Sequence, residues 1–220
     1  MSNYFTPVLK DVEKVINYKS TVTLDVGCGT GIFLEYLIYK GCQSCYGLDA
    51  PSDYTAQAKN RGYKKIKTIS DLNHKAIPFE KDFFDFIVSK DVFEHLLNPI
   101  FVLEEVSRVL KPKGFFLFHV PNHFPLHKRI KFIFDNNIDT YNFFAKESRW
   151  TYPHIRFYEY SDLISVFNQH GFVLVNNLSY HFLAIPFLSK ISFLFGFNKF
   201  LAQKFPNTFT AGYTLLLRKN

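Results

Sequence analysis

Three glycines at alternate positions, Gly27, Gly29 and Gly31, follow the apolar run 22–26. A loop that leaves a strand and enters a helix presents free backbone N–H groups and the positive end of the helix dipole, and glycines let a ligand approach that backbone closely. Asp25 precedes the loop, and Asp49 ends the next apolar run. A carboxylate at the latter place can accept from both ribose hydroxyls of a nucleoside; alone, it can also cap the next helix. Position 32 is Ile rather than the last Gly of a dinucleotide fingerprint, which disfavours a nicotinamide cofactor without excluding it. A second group, Asp91, Glu94 and His95, has a D-x-x-E-H spacing. A neutral imidazole at His95 can take a proton near neutral pH, with Glu94 orienting the ring. The same three side chains can share a helical face and bind a divalent ion, although no metal is assigned to them. The plainer alternative is that Glu94 and His95 cap and pack the following helix. His119, His123 and His154 are further proton carriers, and Arg156 can pair with a phosphate or carboxylate.

These groups need a scaffold, and the apolar pattern supplies one. Helical spacing over 7–18 precedes a buried strand at 22–26; a helix over 32–40, a strand ending at 46–49 and a helix from Pro51 to near Gly62 follow. Strands are expected at 65–69, 84–88 and 115–120. Asn98-Pro99 is a helix start, and Lys111-Pro112-Lys113-Gly114 stops that helix after Leu110. Residues 121–157 are aromatic, basic and weakly periodic. A helix over 159–170, a strand from 172, a helical segment over 181–206 and a last strand at 211–217 complete the chain. In the helical segment, Phe187, Leu188, Ile191, Leu194 and Phe195 share one face. Strands alternating with helices argue for a mostly parallel sheet covered on both faces.

The run from Leu24 to Gly31 resembles motif I of the class I S-adenosylmethionine-dependent methyltransferases. Phe84-Asp85-Phe86-Ile87-Val88, the Glu94-His95 pair and Arg108-Val109-Leu110-Lys111-Pro112-Lys113-Gly114 resemble the same family, with Lys113 where Gly is usual. The likeness is best to the small-molecule branch that includes the ubiquinone-biosynthesis O-methyltransferases, and covers 20–121 firmly and 150–175 loosely. It implies an α/β Rossmann-like sheet of seven mostly parallel strands, the last antiparallel, with helices on both faces and lid insertions. One methyltransferase domain is expected over 1–220: a cofactor half at 20–121, an acceptor lid at 122–157 and a helical insert at 181–206. The implied cofactor is S-adenosyl-L-methionine, leaving as S-adenosyl-L-homocysteine. Gly27, Gly29 and the nearby backbone of Cys28 and Gly31 would hold its methionine part. Asp25 would orient the loop or the cofactor's ammonium, Asp49 the ribose, and Ser70, Asp71 and Leu72 the adenine, with Ala50 and Lys90 also beside the cofactor. Some ubiquinone-branch relatives are thought to use metal at the D-x-x-E-H place. On the acceptor side, His95, Glu94 and His154 are the catalytic candidates, and His123, Trp150 and Arg156 the acceptor-binding ones. Packing of the lid is the structural alternative for its aromatics.

Composition narrows the acceptor. Lys and Arg number 26 against 19 Asp and Glu, a net charge of +7, which favours an anionic partner or else marks a merely solvated basic surface. A small acceptor bearing phosphate or carboxylate, such as a metabolite or glycan precursor, is the leading expectation, with methylation at oxygen. A quinone or lipid precursor is an alternative. Phenylalanines at 193, 195, 197 and 200 among lysines suggest a peripheral contact of 181–206 with an anionic membrane. A nucleic-acid methyltransferase is disfavoured, because Ser89-Lys90-Asp91-Val92 stands where base-amine enzymes often carry an Asn/Asp-Pro-Pro-Tyr/Phe run. A non-catalytic cofactor-binding partner subunit is the remaining alternative. Three cysteines and no leader-like start fit a reducing cytoplasm, with Cys42-Gln43-Ser44-Cys45 read as a turn. Residue usage rich in Phe, Lys, Asn and Ile suggests A/T-rich coding and a bacterial source. No run is long and apolar enough to span a membrane.

Overall fold

The computed structural model describes residues 5–135, 154–179 and 192–220. Their centre is a seven-stranded sheet of order β3-β2-β1-β4-β5-β7-β6. The strands are β1 (Val22–Val26), β2 (Ser44–Asp49), β3 (Ile66–Thr68), β4 (Phe84–Lys90), β5 (Leu110–Pro121), β6 (Phe172–Asn177) and β7 (Gly212–Lys219). β1 to β5 pair in parallel, and β7 runs antiparallel between β5 and β6. This is the expected α/β class with its reversed last strand. In β4, residues 86–89 are all buried, as an inner strand covered on both faces requires.

The helices are α1 (Phe5–Val12), α2 (Ile32–Tyr39), α3 (Asp53–Asn60), α4 (Pro99–Val109), α5 (Leu126–Asp135), α6 (Tyr160–Gln169), α7 (Ser192–Lys204) and α8 (Pro206–Phe209). Two apolar cores lie against the sheet. One gathers Phe84, Phe116, Phe118, Phe167 and Phe172 with the buried side of α4 and α6. The other gathers Leu9, Val12, Leu34, Leu37, Phe86 and Leu117 with α1 and α2.

Several local expectations shift. The first helix stops at Val12, and turns carry Ile16 and Tyr18 into the core. α3 is capped by Ser52, whose hydroxyl accepts from the Thr55 N–H while the Thr55 side chain accepts from Ser52 N–H, so Asp49 is not its cap. α4 begins as expected, with Asn98 Oδ1 accepting from Phe101 N at 3.3 Å. It ends at Val109, where Leu110 turns extended and begins β5, and Lys113 within the expected stop is left-handed at φ 65°. The weakly periodic stretch contains a helix, α5, whose apolar residues Leu126, Ile130, Ile133 and Phe134 are exposed rather than facing a core. Cys42, in the turn after α2, and Cys45, in β2, are joined as a disulfide, where a turn in a reducing cytoplasm was expected. Phe187, Leu188 and Ile191 lie outside the described residues.

The order of strands fixes where a ligand can bind. The chain winds outward from β1 to β3 and then crosses back to β4, so the carboxyl ends of β1 and β4 open onto a crevice at the point where the winding reverses.

Candidate active site

A cavity of about 400 Å³ occupies that crevice. Gly27, Asp49, Ala50, Ser70, Asp71, Leu72 and His95 all line it. The β1–α2 loop is shaped by glycine at two places. Gly27 has φ 80°, and a Cβ there would stand 2.1 Å from Val92 Cγ2. Gly29 has φ 50° and open space where a Cβ would be, so its backbone is approachable. Asp49 ties this loop to β2: Oδ2 accepts from Gly29 N and Oδ1 from Ala50 N, each at 2.6 Å. Each oxygen keeps a further acceptor site for a hydroxyl.

Asp25 is buried beneath the loop. Desolvation raises its carboxyl to about 7, Asp49 adds to the rise, and the Lys90 charge opposes it. Such a carboxyl gains from a positive ligand overhead. Lys90 itself pairs with Asp91. The Cys28 side chain points away from the cavity into the α1–α2 core, beside Gly47, and burial pushes its thiol up. Only its backbone is available to a cofactor. Gly31 is the left-handed residue that opens α2.

The acceptor-side groups meet where β4 ends. A 3₁₀ turn, Phe93–His95, follows the strand. The segment before α6 is sewn onto it: Ile155 N and Arg156 N donate to the Glu94 carbonyl at 2.9 and 3.1 Å, and Tyr158 Oη donates to the Phe93 carbonyl at 2.9 Å. His154 is thereby held against His95, with ring centroids 4.8 Å apart. On its other side His154 Nδ1 meets His123 Nε2 at 2.9 Å. Burial, reinforced by His154, lowers His123 to about 3; burial and then His95 lower His154. Both rings are therefore neutral near pH 7. Glu94 is 0% exposed, and among the described residues neither carboxylate oxygen has a hydrogen-bond partner. Desolvation raises it to about 8.

Arg156, expected to bind an acceptor anion, also donates from its guanidinium to the carbonyls of Leu96 and Leu97 and so clamps the segment carrying His154. Asp91 does not join Glu94 and His95 in the way a shared helical face implies. The turn is short, Asp91 has φ 56°, and its carboxylate faces Lys90 and His119. His119 is itself committed to Thr214 Oγ1 at 2.7 Å, away from the His154 group. Trp150 lies outside the described residues. Tyr54, Asn73 and Val92 also line the cavity and were not singled out by sequence. Asn73 had a signal only in its amide, whose Oδ1 accepts from Leu97 N and Asn98 N and so fixes the start of α4.

The glycine loop, the carboxylate at the end of β2 and the crevice at the winding reversal together suit a nucleoside-bearing cofactor. A family model described as a methyltransferase domain matches residues 6–177, and the chain belongs to that family. Among individual relatives, it is 26% identical over 108 residues to the ubiquinone biosynthesis O-methyltransferase of Neisseria meningitidis, covering 46% of this chain and 44% of that one. It is 34% identical over 105 residues to the glycine/sarcosine/dimethylglycine N-methyltransferase of Actinopolyspora halophila, covering 46% of this chain and 19% of that one. The chain thus spans less than half the length of either relative. An S-adenosylmethionine-dependent methyltransferase from Mesorhizobium loti has the same fold, with a TM-score of 0.67 at 14% identity and 99% of both chains covered. The cofactor that the family implies is S-adenosyl-L-methionine. The open backbone at Gly29, the acceptor capacity of Asp49 and the raised carboxyl of Asp25 fit a ligand with a ribose and a positive charge.

Proposed function

We propose that this chain methylates an oxygen of a small, anionic acceptor, a phosphate- or carboxylate-bearing metabolite or glycan precursor, with S-adenosyl-L-methionine as donor. The observation that carries the reading is the array of His95, His154 and His123 at the end of the cofactor cavity, with neutral rings at His123 and His154. When bound, the donor supplies a methyl group already activated on a sulfonium. The protein must then align the acceptor oxygen, exclude water and receive its proton. An imidazole of His95 or His154 takes that proton, and the His154–His123 contact at 2.9 Å holds the His154 ring in place. Lys128 lies close enough to His123 and His154 to depress their basicity, and supplies positive charge on this side together with the chain's net +7. One domain over 1–220, with 122–157 as the acceptor lid, is part of the same reading.

A second reading has a specific support: Phe197, Phe200 and Phe205 are exposed near Lys199 and Lys204 at the end of the chain's helical insert. These residues suit contact with an anionic membrane and an acceptor of the quinone or lipid-precursor kind. Among the described residues no helix is long and apolar enough to cross a membrane.

The test is incubation with methyl-labelled S-adenosylmethionine and a cell extract, followed by separation into aqueous, lipid, RNA and protein fractions. Label in anionic aqueous products, lost in His154→Ala while cofactor affinity holds, is the expected result. Label in lipid moves the assignment to the second reading. Label in RNA or protein, or none in any fraction, refutes both.

A further inference from the structure

Cys42-Gln43-Ser44-Cys45 stands apart from the cofactor and acceptor machinery, and its disulfide joins residues only three positions apart. In the chain-entropy account a cross-link stabilises a fold more the longer the loop it closes, so one this short is a weak staple. The spacing is instead that of dithiols that open and close by exchange. Both cysteines lie in the wall of a second cavity, of about 200 Å³, between α2 and the start of β3. The two residues are otherwise buried, so this cavity is the approach to their sulfurs. Lys64 and Lys65 share the wall, and Lys65 Nζ donates to the Gln43 carbonyl at 3.2 Å, which ties its charge to the bridged turn. A cation there favours a thiolate once the bond is open. Cys28, the remaining thiol, is buried in the same core, and desolvation pushes it up, which leaves it a poor participant in exchange.

We propose that Cys42 and Cys45 form a reversible thiol–disulfide exchange site for a dithiol reductant, and that opening the bond weakens the hold on the cofactor. One thiolate of the reductant attacks a sulfur of the pair; the Cys42–Cys45 bond breaks as a mixed disulfide forms, and the other cysteine leaves as a thiolate. The reductant's second thiolate then breaks the mixed bond, and the reductant departs as a disulfide. Two electrons pass to the chain, and the two protons of the reductant's thiols end on Cys42 and Cys45. An oxidised dithiol drives the reverse. The link to the cofactor is β2, which holds Cys45 and ends at Asp49, whose carboxylate accepts from Gly29 N and Ala50 N. Between them, Gly47 packs so tightly that a Cβ there would stand 2.8 Å from Cys28 Sγ and 3.0 Å from Leu34 Cδ1. Leu34 belongs to the wall of the second cavity. Tyr63 does too, and its ring lies 2.6 Å from where a Cβ of Gly31 would stand. The cavity wall thus bears on the frame of the glycine loop at two places, and close packing transmits a displacement of that wall. The inference needs only the cofactor and is independent of the acceptor reading.

The test uses the full chain, purified without reductant, and reads thiols and cofactor binding rather than turnover. The chain is equilibrated in graded ratios of reduced to oxidised dithiothreitol, alkylated and measured by mass spectrometry. Alkylation of Cys42 and Cys45, gained and lost reversibly without denaturant while Cys28 stays unmodified, is expected. A parallel arm supplies a catalytic amount of a thioredoxin-class dithiol protein with its recycling system. Faster reduction in that arm supports the proposal with a protein as the reductant; reduction by dithiothreitol alone supports it with a small dithiol. Calorimetry should find S-adenosylmethionine bound at least about fivefold more weakly by the reduced chain, with full affinity restored on reoxidation. The double variant Cys42→Ser, Cys45→Ser should bind as the reduced chain does in either buffer, and a cooperative urea transition shows that it is folded. Cys45→Ala is the second variant, with the same expectation. A bond that never forms, or opens only in denaturant, overturns the proposal. Equal cofactor affinity in the two states does so too, as does oxidised-state affinity in a folded variant lacking the bond.

Discussion

Replacing Asp25 by Asn should flatten the pH dependence of folding stability, and the size of the change follows from burial. The Asp25 carboxyl titrates at about 7 in the fold against 3.8 as its ordinary value, chiefly through desolvation. Between those limits the folded chain holds a proton there that the unfolded chain has released, so stability falls as pH rises and levels off above about 7. Each pH unit in the window costs ~1.4 kcal/mol. From about pH 5.5 to about pH 8, this group alone should therefore remove about 2 kcal/mol. Asn presents a similar shape with no charge to desolvate, so that part of the slope should vanish. Glu94 is also raised and adds a slope of the same sign, but it is present in both proteins and cancels in the difference. Urea denaturation of the cofactor-free protein and of Asp25→Asn at the two pH values measures the quantity directly. Parallel slopes in the two proteins would show that Asp25 is not desolvated as its burial implies, and the reasoning would fail. If the carboxyl faces a positive ligand, the native protein should also release a proton on binding S-adenosylmethionine below pH 7, and Asp25→Asn should not.

Gly27→Ala places a methyl 2.1 Å from Val92 Cγ2 on backbone of φ 80°; a stability loss of about 1–3 kcal/mol and weaker cofactor binding are expected by denaturation and calorimetry. Full cofactor affinity in this variant would mean that the loop does not hold the ligand. Lys113→Gly should stabilise the chain by about 0.5–1 kcal/mol in the same denaturation assay, because the left-handed cost at φ 65° outweighs the extra freedom of glycine in the unfolded chain.

The parts of this molecule legible in its sequence are those in which local pattern and tertiary role agree. The buried run at β1 and the glycines after it could be placed because both faces of that strand are covered and the loop needs residues that tolerate positive φ. The start of α4 was legible in Asn98-Pro99 for the same reason. α5 was not, because its apolar face is exposed and Phe132 off that face blurs the period. The meeting of His123 and His154 is a contact across 31 positions that no local pattern encodes. Glu94 was singled out by its pairing with His95, but its complete burial in a short turn is set by tertiary packing that no polarity pattern encodes. Arg156 shows what charge alone leaves unread: two of its donors hold backbone carbonyls of Leu96 and Leu97, a pairing across about 60 positions that no local pattern encodes.

The clamp that positions His154 can be tested apart from the chemistry. The Tyr158 hydroxyl donates at 2.9 Å to the carbonyl of Phe93, in the turn that carries Glu94 and His95. Tyr158→Phe removes that one donor, keeps the ring in place, and should cost about 0.5–1.5 kcal/mol of stability. If the clamp matters because it holds His154 over the turn, turnover should fall in Tyr158→Phe with cofactor affinity unchanged. The decisive measurement is the double variant with His154→Ala. Residues acting through one another are not additive, so once His154 is gone, loss of the Tyr158 hydroxyl should lower turnover no further. Additive losses would mean that Tyr158 acts on the reaction by a route of its own, and that the hydrogen bonds between the turn and the His154 segment serve stability alone.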